Sequence, residues 1–181
     1  KKTLSDFIDE WLKIKEINVR AGTYKRYVVS LNAFTNAVGR TSLISSINTN
    51  TIEYFKKFYI GHHTPSGINI NLRGVKCFLR WAVDEEYIKK IPIIKLLKID
   101  KTKPRIINDL VWDKLMSLDI DDYWKDVWAL FRDTGMRRSE GIIGKVDDDF
   151  LIVDAKDSKS GVEKAIPLTS KLTAVASSYT R

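Results

Sequence analysis

Apolar residues recur at helical spacing through the first ninety positions. Leu4, Phe7, Ile8, Trp11 and Leu12 line one face of a helix that Thr3 can cap. A second stripe runs through Tyr24, Tyr27, Val28, Leu31, Phe34 and Val38 and is ended by Gly39. A third helix begins near Thr49 and carries Ile52, Phe55 and Tyr59. Thr64-Pro65 then gives a cap followed by proline at the first helical position, opening a helix with Ile68, Leu72, Val75, Phe78, Leu79 and Ala82. Four amphipathic helices with short connections predict a compact bundle over residues 1–90. Residues 91–105 read as a linker, because Pro92 and Pro104 interrupt helix.

Beyond the linker the period changes. Asn108 or Asp109 can cap a short helix with Leu110, Trp112 and Leu115. Trp124, Val127, Trp128 and Phe131 fall at i, i+3, i+4 and i+7, which predicts one buried face, and Gly135 supplies a left-handed stop. Phe150–Val153 and Ala165–Leu168 read as two short strands joined through Asp157-Ser158-Lys159-Ser160-Gly161. The predicted fold class is mainly α with a small β-hairpin or sheet: a helical bundle, then a partial α+β domain over 106–181.

Composition narrows the function classes. The chain has 181 residues, 44% hydrophobic and 30% charged, which fits a globular protein and not a disordered one. No apolar run approaches the roughly 20 residues of a membrane span, so no membrane partner is expected. One cysteine, Cys77, excludes a disulfide framework and suits the cytoplasm. His62-His63 with that cysteine makes no ordinary zinc site, so no metal is expected and the pair reads as a polar loop.

Charge is the more telling number. Of the net +8, residues 1–100 carry 17 Lys and Arg against 9 Asp and Glu, whereas residues 101–181 carry 14 of each. The whole excess lies in the first hundred residues, which points to a polyanionic partner there, the alternative being a basic but inert surface. Lys25, Arg26, Lys56, Lys57, Arg73, Lys76 and Arg80 fall mostly off the apolar stripes, where they can meet phosphates. Lys95, Lys98, Lys101, Lys103 and Arg105 make the linker basic; it either follows a nucleic-acid backbone or is simply solvated.

The candidate chemistry lies in Asp133-Thr134-Gly135-Met136-Arg137-Arg138-Ser139-Glu140, where a helix stops at a glycine and delivers two arginines. An arginine held by a rigid turn can present its planar fork to a phosphate. Thr134-Gly135-Met136-Arg137-Arg138-Ser139-Glu140 resembles T-G-x-R-x-S-E, the first arginine box of the tyrosine recombinases, the phage-integrase type of site-specific DNA recombinase. Lys159-Ser160-Gly161-Val162-Glu163-Lys164-Ala165-Ile166-Pro167-Leu168 is similar to that family's K-T-G-x-x-R-x-I-P-L hairpin. The resemblance implies that Arg137 is the catalytic arginine, that Glu140 helps hold it, and that Lys159 protonates the leaving 5′ oxygen. It also implies that the helical first part is a SAM-like core-binding domain, which clamps duplex DNA together with the catalytic domain. The full-length protein would then self-associate on DNA, and no cofactor is implied.

The departures shape the remaining expectations. The family's second box, H-x-x-R, has no counterpart, since no histidine follows His63 and the chain ends 22 residues past Lys159. Tyr179 comes only 42 residues after Arg137 and no Gly-His pair precedes it, so the nucleophile is expected outside this chain. The stretch from Glu140 to Phe150 is short and lacks the usual tryptophan–aspartate turn. The function these features imply is that of a phage or mobile-element integrase fragment that binds duplex DNA. Its full-length form would cut and rejoin strands through a 3′-phosphotyrosyl link. The alternative is a non-catalytic DNA-binding remnant or regulator.

Overall fold

In the computed structural model, residues 2–100 and 103–179 are described, and they form two compact units, 1–103 and 104–181. The first unit holds α1 (Leu4–Asn18), α2 (Ala21–Val38), a 3-10 turn at Ile44–Ser46, α3 (Thr49–Tyr59) and α4 (Pro65–Asp84). The second holds α5 (Asp109–Met116), α6 (Asp122–Thr134), α7 (Arg138–Ile143), β1 (Lys145–Asp147), β2 (Phe150–Val153), β3 (Lys164–Pro167) and α8 (Ser170–Tyr179). The strands form one antiparallel sheet in the order β1-β2-β3, with Leu151 paired to Ile166 and Val153 to Lys164. No helix among the described residues is long and apolar enough to cross a membrane.

Caps set the helix starts in the first unit. The Thr3 hydroxyl accepts from the Asp6 N–H at 3.3 Å and the Asp6 carboxylate accepts from the Thr3 N–H at 2.7 Å, a reciprocal box. Thr64 caps α4 through the Gly67 N–H at 3.2 Å, with Pro65 beside it. The stripes then close on one core. Trp11 is fully buried, its ring 4.8 Å from Tyr27 and 5.8 Å from Phe78. Phe34 and Phe55 meet at 5.6 Å.

The helices α2 and α4 run antiparallel and nearly touch. Ser30 donates to Asn71 at 3.3 Å, and Tyr27 lies against Cys77, so descending α2 matches ascending α4. A Cβ added at Gly74 would lie 2.6 Å from the Ser30 Cβ. Gly74→Ala is therefore expected to destabilise the chain by about 1–2 kcal/mol, because overpacking outweighs the gain of about 1 kcal/mol in helix propensity. Gly22, in the first turn of α2, has nothing within 4 Å of such an atom, so Gly22→Ala should stabilise slightly. Urea titration of both variants checks the pair; a Gly74→Ala midpoint at or above wild type contradicts the close approach.

The basic connector is less detached than a linker. Ile91, Ile94 and Leu97 pack against the first core, and the buried Asn69 side chain brackets Leu97, donating to its carbonyl at 2.9 Å and accepting from its N–H at 2.8 Å. This spacing of three turns one side of an extended, proline-containing stretch towards the bundle.

The second core gathers Val127, Leu130, Met136, Leu151, Leu168, Leu172, Val175 and Ala176. The buried face of α6 is rotated from the predicted one: Val127 and Leu130 are enclosed, whereas Trp124 is 51% exposed. The cause is α8, which the apolar pattern does not announce and which supplies Leu172 and Val175 to this core. β1 is also additional to the two predicted strands, and β3 starts one residue earlier than predicted.

Candidate nucleic-acid interface and arginine site

In the first unit, Arg73, Lys76 and Arg80 are all exposed and follow one another at i, i+3 and i+7 along α4. They form a single basic face opposite the buried Leu72, Val75 and Leu79. Lys25 and Arg26 are exposed on the N-terminal turns of α2, which the antiparallel crossing sets beside the later turns of α4. Lys57, Lys95, Lys98, Lys103 and Arg105 are exposed as well, and Lys101 lies outside the described residues. Lys56 departs from the expectation: it is buried on α3, and its ammonium donates to Glu53 at 2.6 Å instead of facing outward. His62 and His63 sit in an exposed turn, with the His63 ring edge-on to Tyr59 at 4.6 Å.

In the second unit, α6 ends where Gly135 adopts a left-handed conformation, φ +61°. Met136 then turns into the core, and α7 begins with Arg137 at its N-cap. A Cβ at Gly141 would come within 3.1 Å of Met136 Sδ and Phe131 Cζ, so α7 sits tightly on its neighbours. That tightness encloses Glu140, whose side chain is only 4% exposed. Glu140 Oε2 accepts from the Arg137 N–H at 2.8 Å and Oε1 accepts from Arg137 Nη1 at 2.7 Å. The Arg137 side chain remains 53% exposed, anchored at one nitrogen with its other donors available.

A third group joins them. Lys164 Nζ on β3 donates to the same Glu140 Oε1 at 2.5 Å. The Lys164 ammonium, followed by the Arg137 N–H and guanidinium, holds the Glu140 carboxyl down to about 2 against the opposing effect of burial. The network therefore contributes its full stability above the ordinary carboxylate range and loses it as pH falls through about 2.

Arg137 and Glu140 thus touch each other across one turn of the chain. Lys159 stands apart, exposed in the turn between β2 and β3, and among the described residues no carboxylate pairs with it. Arg138 is exposed at the first position of α7. Tyr179 closes α8, with its ring edge-on to Phe131 at 5.6 Å.

Residues 3–96, more than half of the chain, match the family described as the phage integrase SAM-like domain. The chain belongs to that family. As a phage integrase SAM-like protein it also shares its fold with solved integrases. A lambda integrase dimer bound to a COC' core site is 19% identical with a TM-score of 0.77, covering 92% of this chain and 60% of that one. A lambda integrase tetramer bound to a Holliday junction is 19% identical with a TM-score of 0.75, covering 95% and 53%. The Tn1549 transposon integrase in complex with a circular intermediate DNA is 14% identical with a TM-score of 0.72, covering 97% and 64%. The chain therefore spans between about half and two thirds of the length of these integrases. None of the curated proteins compared matches it.

Proposed function

We propose that this chain is the DNA-gripping and arginine-bearing part of a cytoplasmic site-specific DNA recombinase of the integrase type. The observation that carries the reading is the exposed row Arg73, Lys76 and Arg80 on α4, with Lys25 and Arg26 exposed on the first turns of the antiparallel α2. It lies within the family-matched residues and within the half of the chain that holds the whole +8 excess. The integrases that share the fold were solved on DNA, two of them as a dimer and a tetramer. Residues 1–90 are read as the core-binding domain, 91–105 as the basic connector and 106–181 as the first part of the catalytic domain.

In this reading Arg137 meets the nonbridging oxygens of the phosphate to be cut, where charge builds in the transition state. A tyrosine hydroxyl gives up its proton to water and its oxygen attacks the phosphorus, the bond to the 5′ oxygen breaks, and Lys159 supplies that oxygen's proton. The strand's 3′ phosphate is left on the tyrosine, and reversal of the step rejoins it. The tyrosine and a second arginine box are assigned to sequence that these 181 residues do not contain.

Binding is the step the chain can be tested on directly. The logarithm of duplex affinity should fall linearly with the logarithm of salt, by about 0.9 per phosphate contact. Arg73→Ala, Lys76→Ala and Arg80→Ala combined should flatten that slope by about 2–3, measured by fluorescence anisotropy across a salt series. An unchanged slope in the triple variant removes α4 from the interface.

A further inference from the structure

Two cations share one carboxylate oxygen beside the arginine box. Arg137 reaches Glu140 Oε1 from its own turn, and Lys164 reaches the same atom from β3, 24 residues further on. The position of Lys164 is fixed by the sheet, where it pairs with Val153 of β2, and its side chain is 30% exposed. One carboxylate cannot neutralise two full charges, so the cluster keeps a net positive charge at the surface. The two cations also play unequal parts. Arg137 is the more exposed partner, and a guanidinium tethered at one nitrogen still pivots unless the atom it grips is fixed.

We propose that Lys164 is the positioning residue of this site: by holding Glu140 Oε1 from the β3 side, it fixes the carboxylate against which the Arg137 guanidinium is set. The inference deepens the reading of Arg137 as a phosphate-binding arginine and rests on it. It ties the sheet to the arginine box, so that a strand on one side of Glu140 controls the orientation of an arginine on the other. Lys159, five residues earlier in the turn that leads into β3, is left to deal with the leaving oxygen alone.

The experiment compares the 181-residue chain with Lys164→Met, which keeps the aliphatic stem, and Lys164→Arg, which keeps the charge. Carbon NMR follows the Glu140 carboxyl against pH, and nitrogen NMR follows exchange of the Arg137 guanidinium. In Lys164→Met the Glu140 midpoint should move up from about 2 by roughly one pH unit or more, and Arg137 should exchange faster. Lys164→Arg should restore both. If Lys164→Met does not fold, wild type decides the matter, because the Lys164 ammonium resonance must respond as pH passes the Glu140 midpoint. A Glu140 midpoint and Arg137 exchange rate unmoved in Lys164→Met, or a Lys164 resonance silent through that pH, overturns the proposal. Adding duplex DNA to wild type tests the underlying reading separately. If Arg137 resonances do not respond to DNA while the Glu140 results hold, the phosphate reading fails and the coupling stands.

Discussion

In a form of the protein that carries the nucleophilic tyrosine, Arg137→Lys lowers strand cleavage by about 10²–10³-fold. Arg137 spends Nη1 on Glu140 and keeps its remaining donors for a phosphate. A lysine ammonium is a single point of charge on a flexible stem, which cannot bind the carboxylate and present a planar fork at once. Arg138→Lys should change the rate far less, since Arg138 is exposed at the start of α7 and Glu140 is held by its neighbour. Trapping the covalent adduct on a nicked suicide substrate measures both. Comparable losses at the two positions would mean that the other arginine faces the phosphate, or that both do.

The largest stability effect belongs to Trp11. Its indole is fully buried between Tyr27 and Phe78 at the meeting of α1, α2 and α4. Trp11→Ala should cost about 3–5 kcal/mol, enough to leave the bundle largely unfolded in a domain of ordinary stability. Trp124→Ala removes the same atoms from a half-exposed site and should stay within about 1 kcal/mol. Chemical denaturation followed by circular dichroism separates them, and similar losses would place Trp124 in a core that the structure does not give it.

The helices of the first unit were readable because period and caps agree: Thr3, Asn48 and Thr64 each stand where an apolar stripe begins. α8 was not. Three of the ten residues of Ser170–Tyr179 are serine, which favours caps and turns over helix interiors, and the helix owes its place to Leu172, Val175 and Ala176 packing against the second core. Asn69 was opaque for the opposite reason, as a polar residue on an apolar face whose partner, the Leu97 backbone, lies outside any periodic element. The misplaced face of α6 follows from the same cause as α8, since which side of a helix is buried depends on what arrives to cover it. At the site, the pairing of Glu140 with Arg137 is implied by the resemblance to the arginine box, and it joins residues within one turn of chain. Lys164 was visible in the hairpin motif but not as Glu140's partner. That contact depends on the register of β2 against β3, a fact of strand pairing and not of local spacing.

The near-contact of Gly74 with Ser30 has a consequence for how this protein can drift. Position 74 already carries no side chain and position 30 one of the smallest, so the pair has almost no room left to trade volume. Position 30 can change only in the direction of smaller and position 74 not at all, and the two should be inherited together among relatives whose α2 and α4 cross at the same gauge. A genetic screen would report position 74 among those that abolish binding, although it lies buried beneath the charges and reaches no phosphate itself. What such a substitution would spoil is the distance between two rows of charge, Lys25 and Arg26 on one rail and Arg73, Lys76 and Arg80 on the other.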